Sequence, residues 1–277
     1  MSLSIASLNS GSNGNCYFVG NEQEAVLIDV GITCREVEKR MKRLGLEISK
    51  LKALFITHEH GDHITGVSKL SKKYKLPVHI STGTLGNSTI IVSEELLKPI
   101  AAYEPIKVGA LTVTPFPKYH DAADPHSFIV SNEVVKVGVF TDIGYACRHV
   151  RHHFRQCHAA FLESNYDVEM LATGPYPPIL QNRIRNGYGH LSNLQARKLF
   201  VEHRPPFMSH LILSHLSRNN NKPSIVESMF AEVAGDTEII VASRNQESKL
   251  ITVEASRNSN KVSTKYPVEH AKQLSLF

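Results

Sequence analysis

The densest chemistry in the sequence is a six-residue run, His58-Glu59-His60-Gly61-Asp62-His63, reached through Thr57 from the apolar stretch Ala53-Leu54-Phe55-Ile56. A loop at the end of a strand can turn His58 and His60 toward one point, and Asp62 with His63 toward a neighbouring one. Neutral imidazoles and carboxylates suit divalent zinc, and carboxylates also suit manganese. Without a cation, crowded histidines must be solvated or repel one another when protonated, so the alternative is a solvated polar loop. The chain holds 15 histidines among 277 residues, and a second dense group is Cys147, His149, His152, His153, Cys157 and His158. There the spacing argues against a metal. Cys147, Val150, Phe154 and Cys157 fall on one helix face and read as core. Arg148, Arg151, His152 and Arg155 are then on the open side, a solvated face or a surface for a polyanion. His79, His203, His210 and His270 carry no pattern and read as structural.

The elements that must position these groups follow from apolar periodicity. Residues 3–8 and 16–19 read as strands around the Gly/Ser/Asn turn 9–15, and 25–28 as a buried strand ending at Asp29 and Gly31. Val37, Met41 and Leu44 recur at helical spacing, with Lys39, Arg40, Lys42 and Arg43 on the wet side. Residues 53–56 form the next strand, and Ile64, Val67 and Leu70 continue the histidine loop as a helix. Further strands are expected over 111–116, 127–130, 134–141, 159–162, 211–214, 238–241 and 250–253. Helices are expected over 146–156, 193–203 and 224–233. Ser192 with Gln195 reads as a capping box rather than a nucleophile. Runs of strands interrupted by single helices predict two sheets covered by helices. No repeat or linker is evident within 1–254. The predicted organisation is a folded unit over 1–255 and a polar, disordered tail over 256–277.

Composition narrows the class. With 42% hydrophobic and 21% charged residues the chain is neither fibrous nor disordered. No apolar run approaches the ~18 residues of a membrane span, and the start, Met1-Ser2-Leu3-Ser4-Ile5, is not read as a signal peptide. Cys16, Cys34, Cys147 and Cys157 form no CxxC pair, which suggests reduced thiols and a cytoplasmic chain. A net charge of +5 permits a polyanionic partner without demonstrating one.

Taken with its neighbours in order, the histidine run resembles the metallo-β-lactamase superfamily over most of the chain. Leu27-Ile28-Asp29-Val30-Gly31 is similar to that family's first motif and residues 57–63 to its second. His120 in Tyr119-His120-Asp121-Ala122, Thr141-Asp142, and Ser214-His215-Leu216 are similar to the third, fourth and fifth. The resemblance implies an α/β (α+β) four-layer αββα sandwich and a dinuclear metal-dependent hydrolase with two divalent ions, zinc or manganese. It implies that His58, His60 and His120 hold one ion, that Asp62, His63 and His215 hold the other, and that Asp142 bridges. Two adjacent cations acidify water and clamp the attacked group with its leaving oxygen, so Asp62 and Asp142 count as catalytic too. Asp29 is expected to orient ligands rather than bind metal. His126, six residues after His120, offers a second candidate for the third motif, or a turn cap or substrate contact.

Within that superfamily an exported lactamase is disfavoured by the absence of an export signal, and by a ligand at His63 that many such lactamases lack. A flavin oxidoreductase needs a further domain. The β-CASP nucleases carry a large insertion for which the 215 − 142 = 73 positions between Asp142 and His215 leave no room. The finer resemblance is to the single-domain YycJ/WalJ-like exonuclease branch. It is carried by residues 10–16, His120-Asp121-Ala122, Leu162-Glu163-Ser164-Asn165, Gly189-His190-Leu191-Ser192-Asn193, and Leu213-Ser214-His215-Leu216-Ser217 with Asn219-Asn220. It implies a phosphodiesterase, a DNA exonuclease in repair or replication. The alternatives are an RNA nuclease or a small-molecule hydrolase of thioesterase or cyclic-nucleotide phosphodiesterase type. His190 is the candidate for touching the phosphate or protonating the leaving oxygen, or else a packed loop histidine. Ser12 and Asn13 in the glycine-rich turn, with Arg183, Arg185, Arg218 and Asn219, are candidate phosphate contacts. The chain ends Gln273-Leu274-Ser275-Leu276-Phe277, which resembles a bacterial clamp-binding peptide. Gln273, Leu274, Leu276 and Phe277 would engage a DNA sliding clamp through a tether of roughly 23 Å, or dock on the sandwich instead.

Overall fold

Alternating burial decides the layers. In the computed structural model, which describes residues 2–255, the first half runs β1 (Ser2–Asn9), β2 (Cys16–Gly20), β3 (Ala25–Ile28), α1 (Cys34–Arg43), β4 (Leu51–Phe55), α2 (Gly61–Ile64), α3 (Val67–Tyr74), β5 (Val78–Ile80), α4 (Thr82–Gly86) and β6 (Leu97–Pro99). The second half runs β7 (Ile106–Val108), β8 (Leu111–Pro117), β9 (His126–Ser131), β10 (Lys136–Phe140), α5 (Arg148–Phe154), β11 (Ala159–Glu163), α6 (Val168–Thr173), α7 (Pro178–Arg185), α8 (Asn193–His203), β12 (His210–Ser214), α9 (Pro223–Ala231) and β13 (Glu238–Val241). Last comes β14 (Ile251–Glu254), which returns to pair with β1. Among the described residues the strands form two seven-stranded mixed sheets, ordered β14-β1-β2-β3-β4-β5-β6 and β13-β12-β11-β10-β9-β8-β7.

Side chains of a strand alternate between faces, so each sheet can be apolar on both. Leu3, Ile5, Val26, Ile28 and Phe55 face Val113, Phe128, Val137, Val139 and Phe161 across the gap between the sheets. The opposite residues of the first sheet, such as Leu8, Phe18 and Leu27, meet Val37, Met41, Val67 and Leu70 of α1 and α3. Those of the second, Phe140, Leu162 and Leu211, meet α5, α8 and α9. Helix, sheet, sheet and helix therefore stack as four layers, the αββα architecture expected. Cys147, Val150, Phe154 and Cys157 all lie in this core, and the Ser192 capping box is formed by both of its reciprocal bonds.

Several sequence readings need correcting. Arg40 is not on the wet side: it is buried, and its guanidinium donates to Leu8 O at 2.7 Å and Asn9 Oδ1 at 2.6 Å. Periodicity cannot distinguish a wet arginine from one that satisfies buried carbonyls. The helix after the histidine loop is broken, because Gly66 passes so close to α1's approach that a Cβ there would lie 2.1 Å from Ile32 O. The short strands β5, β6 and β7 and the short helices α4 and α6 were not anticipated, being too brief for a period to register, and α7 was missed because none of its eight residues is fully buried and it shows no clear apolar stripe.

The connectivity adds a recurrence that the sequence does not display. Strands β1 to β6 pair in the succession antiparallel, antiparallel, parallel, parallel, parallel. Strands β8 to β13 pair in the same succession. The equivalent strands β3 and β10 even lead into similar words, Ile28-Asp29-Val30-Gly31 and Thr141-Asp142-Ile143-Gly144. One pair of four-residue words in 277 residues is too little to see without the connectivity.

Candidate metal centre

Strand ends build the site. Asp29 follows β3, residues 57–63 follow β4, Asp142 follows β10, Glu163 closes β11 and His215 follows β12. His120 lies in the β8–β9 connection, and His190 just ahead of α8. Asp29, Asp142 and His215 all have left-handed backbone, with φ of 60°, 56° and 57°. Such a conformation costs a side-chain-bearing residue roughly 1–2 kcal/mol, and its recurrence at three strand ends marks a constrained site.

The structure brings His58, His60, Asp62, His63, His120, Asp142 and His215 together. The ligand atoms of His58, His60 and His120 lie within 4.8 Å of one another, as do those of Asp62, His63 and His215, and those of His58, His63 and Asp142. Asp142 is the hinge between these groups: its Oδ2 is 3.2 Å from His63 Nε2 and its Oδ1 3.7 Å from His120 Nε2. His58 Nε2 and His60 Nδ1 are 3.1 Å apart. Two nitrogens sharing a tetrahedral cation at ~2.05 Å would be about 3.3 Å apart, so that spacing suits a common ion.

Each buried imidazole is turned by a partner on Nδ1. His63 Nδ1 is 2.7 Å from Asp29 Oδ2, His120 Nδ1 is 3.0 Å from Gly189 O, and His215 Nδ1 is 2.8 Å from Glu163 Oε1. Asp29 also accepts from Thr57 N and Thr57 Oγ1, at 2.8 Å each, and so ties the histidine loop to β3. In the neutral ring these bonds favour the proton on Nδ1 and leave Nε2 with a lone pair. The Nε2 atoms of His120 and His215 are buried without a hydrogen-bond partner. A buried, unpartnered lone pair is costly unless something accepts it, and a divalent cation fits both. The donor set of imidazoles and carboxylates fits zinc or manganese.

Without a cation, protons take its place on two of these rings: burial opposes charge there, but Asp142 with Asp29 raises His63 to about 10, and Asp142 with Asp62 raises His215 well above the usual imidazole range. Burial would raise the Asp142 carboxyl, but the imidazoles of His215 and His63 outweigh it and hold the group well below the usual carboxylate range. Burial likewise opposes ionisation of Asp62 and Glu163, and neighbouring histidines bring both down to about 2. Burial depresses His120 to about 4, so its ring stays neutral and able to ligate.

A pocket of about 250 Å³ opens over the cluster, lined by His60, Asp62, Asp142, His190 and His215 and also by Ser12, Asp121, Tyr176 and Arg183. His190 Nδ1 is 2.8 Å from Glu163 Oε1. Arg183 Nε donates to Asp121 Oδ2 at 2.6 Å. Asn13 sits beside the pocket, donating to Arg244 O at 2.7 Å, and Asn219 donates to Tyr176 Oη at 3.2 Å. Arg218 lines an adjoining groove with Arg244. Arg185 turns back on Asn182. Four amides of the glycine-rich turn are committed within the fold, while Ser12, on the pocket wall, and Asn13 are exposed. Those of Ser10, Gly11, Gly14 and Asn15 donate to Ser243 O, Asn15 Oδ1, Gly11 O and Asp62 O. The turn also sets Asn15, whose Nδ2 is 3.2 Å from Asp62 Oδ2 and 3.0 Å from His63 Nε2. His126 is buried at the start of β9 with Nδ1 3.0 Å from Asp124 O, a turn contact and no part of these clusters.

Sequence reasoning missed Glu163, Asn15 and Lys118. Glu163 is buried and accepts from Leu191 N at 3.0 Å and Ile143 N at 2.8 Å as well as facing two imidazoles. A lone acid closing the apolar strand Ala159-Ala160-Phe161-Leu162 was the available signal. Lys118, buried with Nζ 2.8 Å from Thr141 O, gave none.

A family model described as the metallo-beta-lactamase superfamily matches residues 10–173, more than half of the chain. The chain belongs to the metallo-beta-lactamase superfamily. It is 31% identical over 240 residues to exodeoxyribonuclease YycJ of Bacillus anthracis, covering 84% of this chain and 89% of that protein. It is 28% identical to exodeoxyribonuclease WalJ of Streptococcus pneumoniae serotype 2, covering 77% of this chain and 81% of that one. Among solved structures, the metallo-beta-lactamase fold protein YhfI of Bacillus subtilis superposes with a TM-score of 0.70 at 15% identity, over 90% of this chain and 99% of that one. This metallo-beta-lactamase fold places its strand-end loops along one open edge, where the cluster lies. Among the described residues no helix is long and apolar enough to cross a membrane.

Proposed function

We propose that the protein is a metal-dependent exodeoxyribonuclease with a site for two divalent ions. The observation that carries the reading is the cluster of imidazoles and carboxylates on an open pocket with arginines at its edge, in a chain similar to proteins named as exodeoxyribonucleases. His58, His60 and His120 would hold one ion, Asp62, His63 and His215 the other, with Asp142 between. Bound there, the cations would supply Lewis acidity, activating water and neutralising charge on the phosphoryl oxygens. The chain's own residues do the rest. Glu163 and Asp29 hold the imidazoles in one tautomer. His190, steadied through Nδ1 by Glu163, offers Nε2 to protonate the leaving oxygen. Arg218 and Arg244, with Arg183 across the pocket, attract the flanking phosphates.

End-labelled single- and double-stranded DNA and RNA, offered with zinc or manganese, test this reading. Stepwise loss of terminal nucleotides from DNA, with about two metal equivalents per reloaded chain, is expected. Hydrolysis of thioesters or cyclic nucleotides with no attack on any polynucleotide would replace it by the small-molecule reading, and preference for RNA by an RNA nuclease. Zinc fits the imidazole-rich set, and manganese is the candidate working ion. Buried, unpaired Cys16, Cys34, Cys147 and Cys157 suit a cytoplasmic enzyme, and DNA repair or replication is the setting proposed for it.

The segment ending Gln273, Leu274, Leu276 and Phe277 lies outside the described residues. As part of the same proposal, it recruits the DNA sliding clamp of its own organism. Calorimetric titration should give a roughly micromolar Kd that deletion of residues 273–277 abolishes. Unchanged clamp binding after the deletion would refute it.

A further inference from the structure

The pocket over the metal cluster has an apolar wall that the proposed chemistry does not use. Helix α7 sets Leu180, Arg183 and Ile184 against it. Positions 180, 183 and 184 stand at i, i+3 and i+4, one side of a helix. Leu180 and Ile184 are partly buried, yet neither joins any of the three hydrophobic clusters among the described residues. No residue of α7 is fully buried. A surface helix ordinarily packs its apolar residues on the core. These two pack toward a pocket lined by metal-site histidines and carboxylates, where the fold itself gains nothing from them.

The wall is registered to the metal cluster by direct bonds. Arg183 Nε donates to Asp121 Oδ2 at 2.6 Å, and the other oxygen of Asp121 is 3.4 Å from His120 Nε2. His190 N donates to Ile184 O at 2.9 Å. At Gly189 a Cβ would lie 2.2 Å from Ile184 O and 2.4 Å from Arg183 O, so a glycine is needed for the loop to close on the end of the helix. The carbonyl of that same glycine lies 3.0 Å from His120 Nδ1. A helix with no core stripe is thus held where it stands by two residues of the site, His120 and His190.

We propose that Leu180 and Ile184 form the wall against which the base of the terminal nucleotide rests while its phosphodiester lies on the metal cluster. The inference rests on the nuclease reading. At about 250 Å³ the pocket is small beside the ~300–1,000 Å³ of most ligand sites, so it suits one nucleotide rather than a run of them. Every base has an apolar face, and branched aliphatic side chains bring no donor or acceptor to read its edges. Such a wall takes all four bases alike, as an enzyme that consumes a strand of any sequence requires. Arg183, on the same side of the helix, brings positive charge to the wall where a phosphate adjoins the base.

The test compares the full metal-loaded chain on DNA duplexes whose terminal residues carry natural bases and on duplexes whose terminal residues are abasic. The variants are Leu180→Ala and Ile184→Ala, alone and together, with Leu180→Met and Ile184→Leu as volume-conserving counterparts. The wild type should favour base-bearing ends. The double alanine variant should lower that preference, read as the ratio of kcat/KM values, by about five- to 30-fold, and the conservative variants should restore it. The same loss should appear at equilibrium, as weaker inhibition by a deoxynucleoside monophosphate relative to deoxyribose 5-phosphate. Thermal melting close to the wild type is expected, since neither side chain belongs to a core cluster. A large fall in melting temperature would assign both residues to packing and overturn the wall. So would an unchanged preference in the double alanine variant, or none in the wild type, with DNA still degraded. A wild-type protein that degrades no polynucleotide would overturn the nuclease reading, and the wall with it.

Discussion

Asp142→Ala is expected to lower kcat/KM for DNA hydrolysis by at least about 10³-fold, with loss of bound metal. The carboxylate lies within 4 Å of His63, His120 and His215, so it touches both proposed ion sites. Asp62, by contrast, approaches only His63 and His215 of those three. Removing Asp142 takes away the negative charge that two cations would share. A second effect must be separated from this. Residue 142 has left-handed backbone, which asparagine tolerates better than alanine. Asp142→Asn keeps the shape and the conformation while removing the charge. If charge is decisive, both variants lose activity and metal, and only the alanine variant also melts lower. Elemental analysis and end-labelled DNA kinetics read the first part, and thermal melting the second. A folded Asp142→Ala protein with two metal equivalents and wild-type turnover would sink the proposed mechanism.

Glu163→Ala should produce the largest loss of stability among the site residues. One buried carboxylate serves the Nδ1 atoms of His190 and His215 and the amides of Ile143 and Leu191. Truncation leaves these donors in a sealed interior, and stranded partners of a buried charge cost about 3–5 kcal/mol. That corresponds to a fall in melting temperature of roughly 6–15 °C for a fold of this size. Glu163→Gln preserves volume and one acceptor, so it should melt much nearer the wild type. It should still weaken metal binding about 10- to 100-fold, because His215 loses the partner that fixes its tautomer. The separation between the two variants is the informative result. Equal melting of all three proteins would mean that the carboxylate supports nothing.

Legibility followed the length of the signal. The long alternating strands and the capped helix at Ser192 could be read from pattern, because their periods repeat several times. The strand at 78–80 could not, since three residues contain no period. The run from His58 to His63 announced itself because four polar donors after an apolar strand demand a reason. His120, Asp142 and His215 are single residues spread over 95 positions, 215 − 120, and only the resemblance linked them before the fold placed them together. Glu163 was quoted within a motif yet given no task, since its work lies in accepting hydrogen bonds from distant histidines. Arg40 failed for the converse reason: a charged residue can be interior when carbonyls meet it.

The recurrence of pairing order in β1–β6 and β8–β13 gives the molecule a near-twofold plan, consistent with a tandem duplication of a half-sized unit. Asp29 and Asp142 then occupy corresponding stations, yet one holds a histidine from behind and the other stands among the proposed ligands. Ligand ownership is divided in the same way. The first half contributes His58, His60, Asp62 and His63, and the second His120, Asp142 and His215. Neither half possesses a full set for both ions, so metal uptake would report that the halves have mated in register. The strand β14, crossing back to β1, acts as the strap that keeps them from parting.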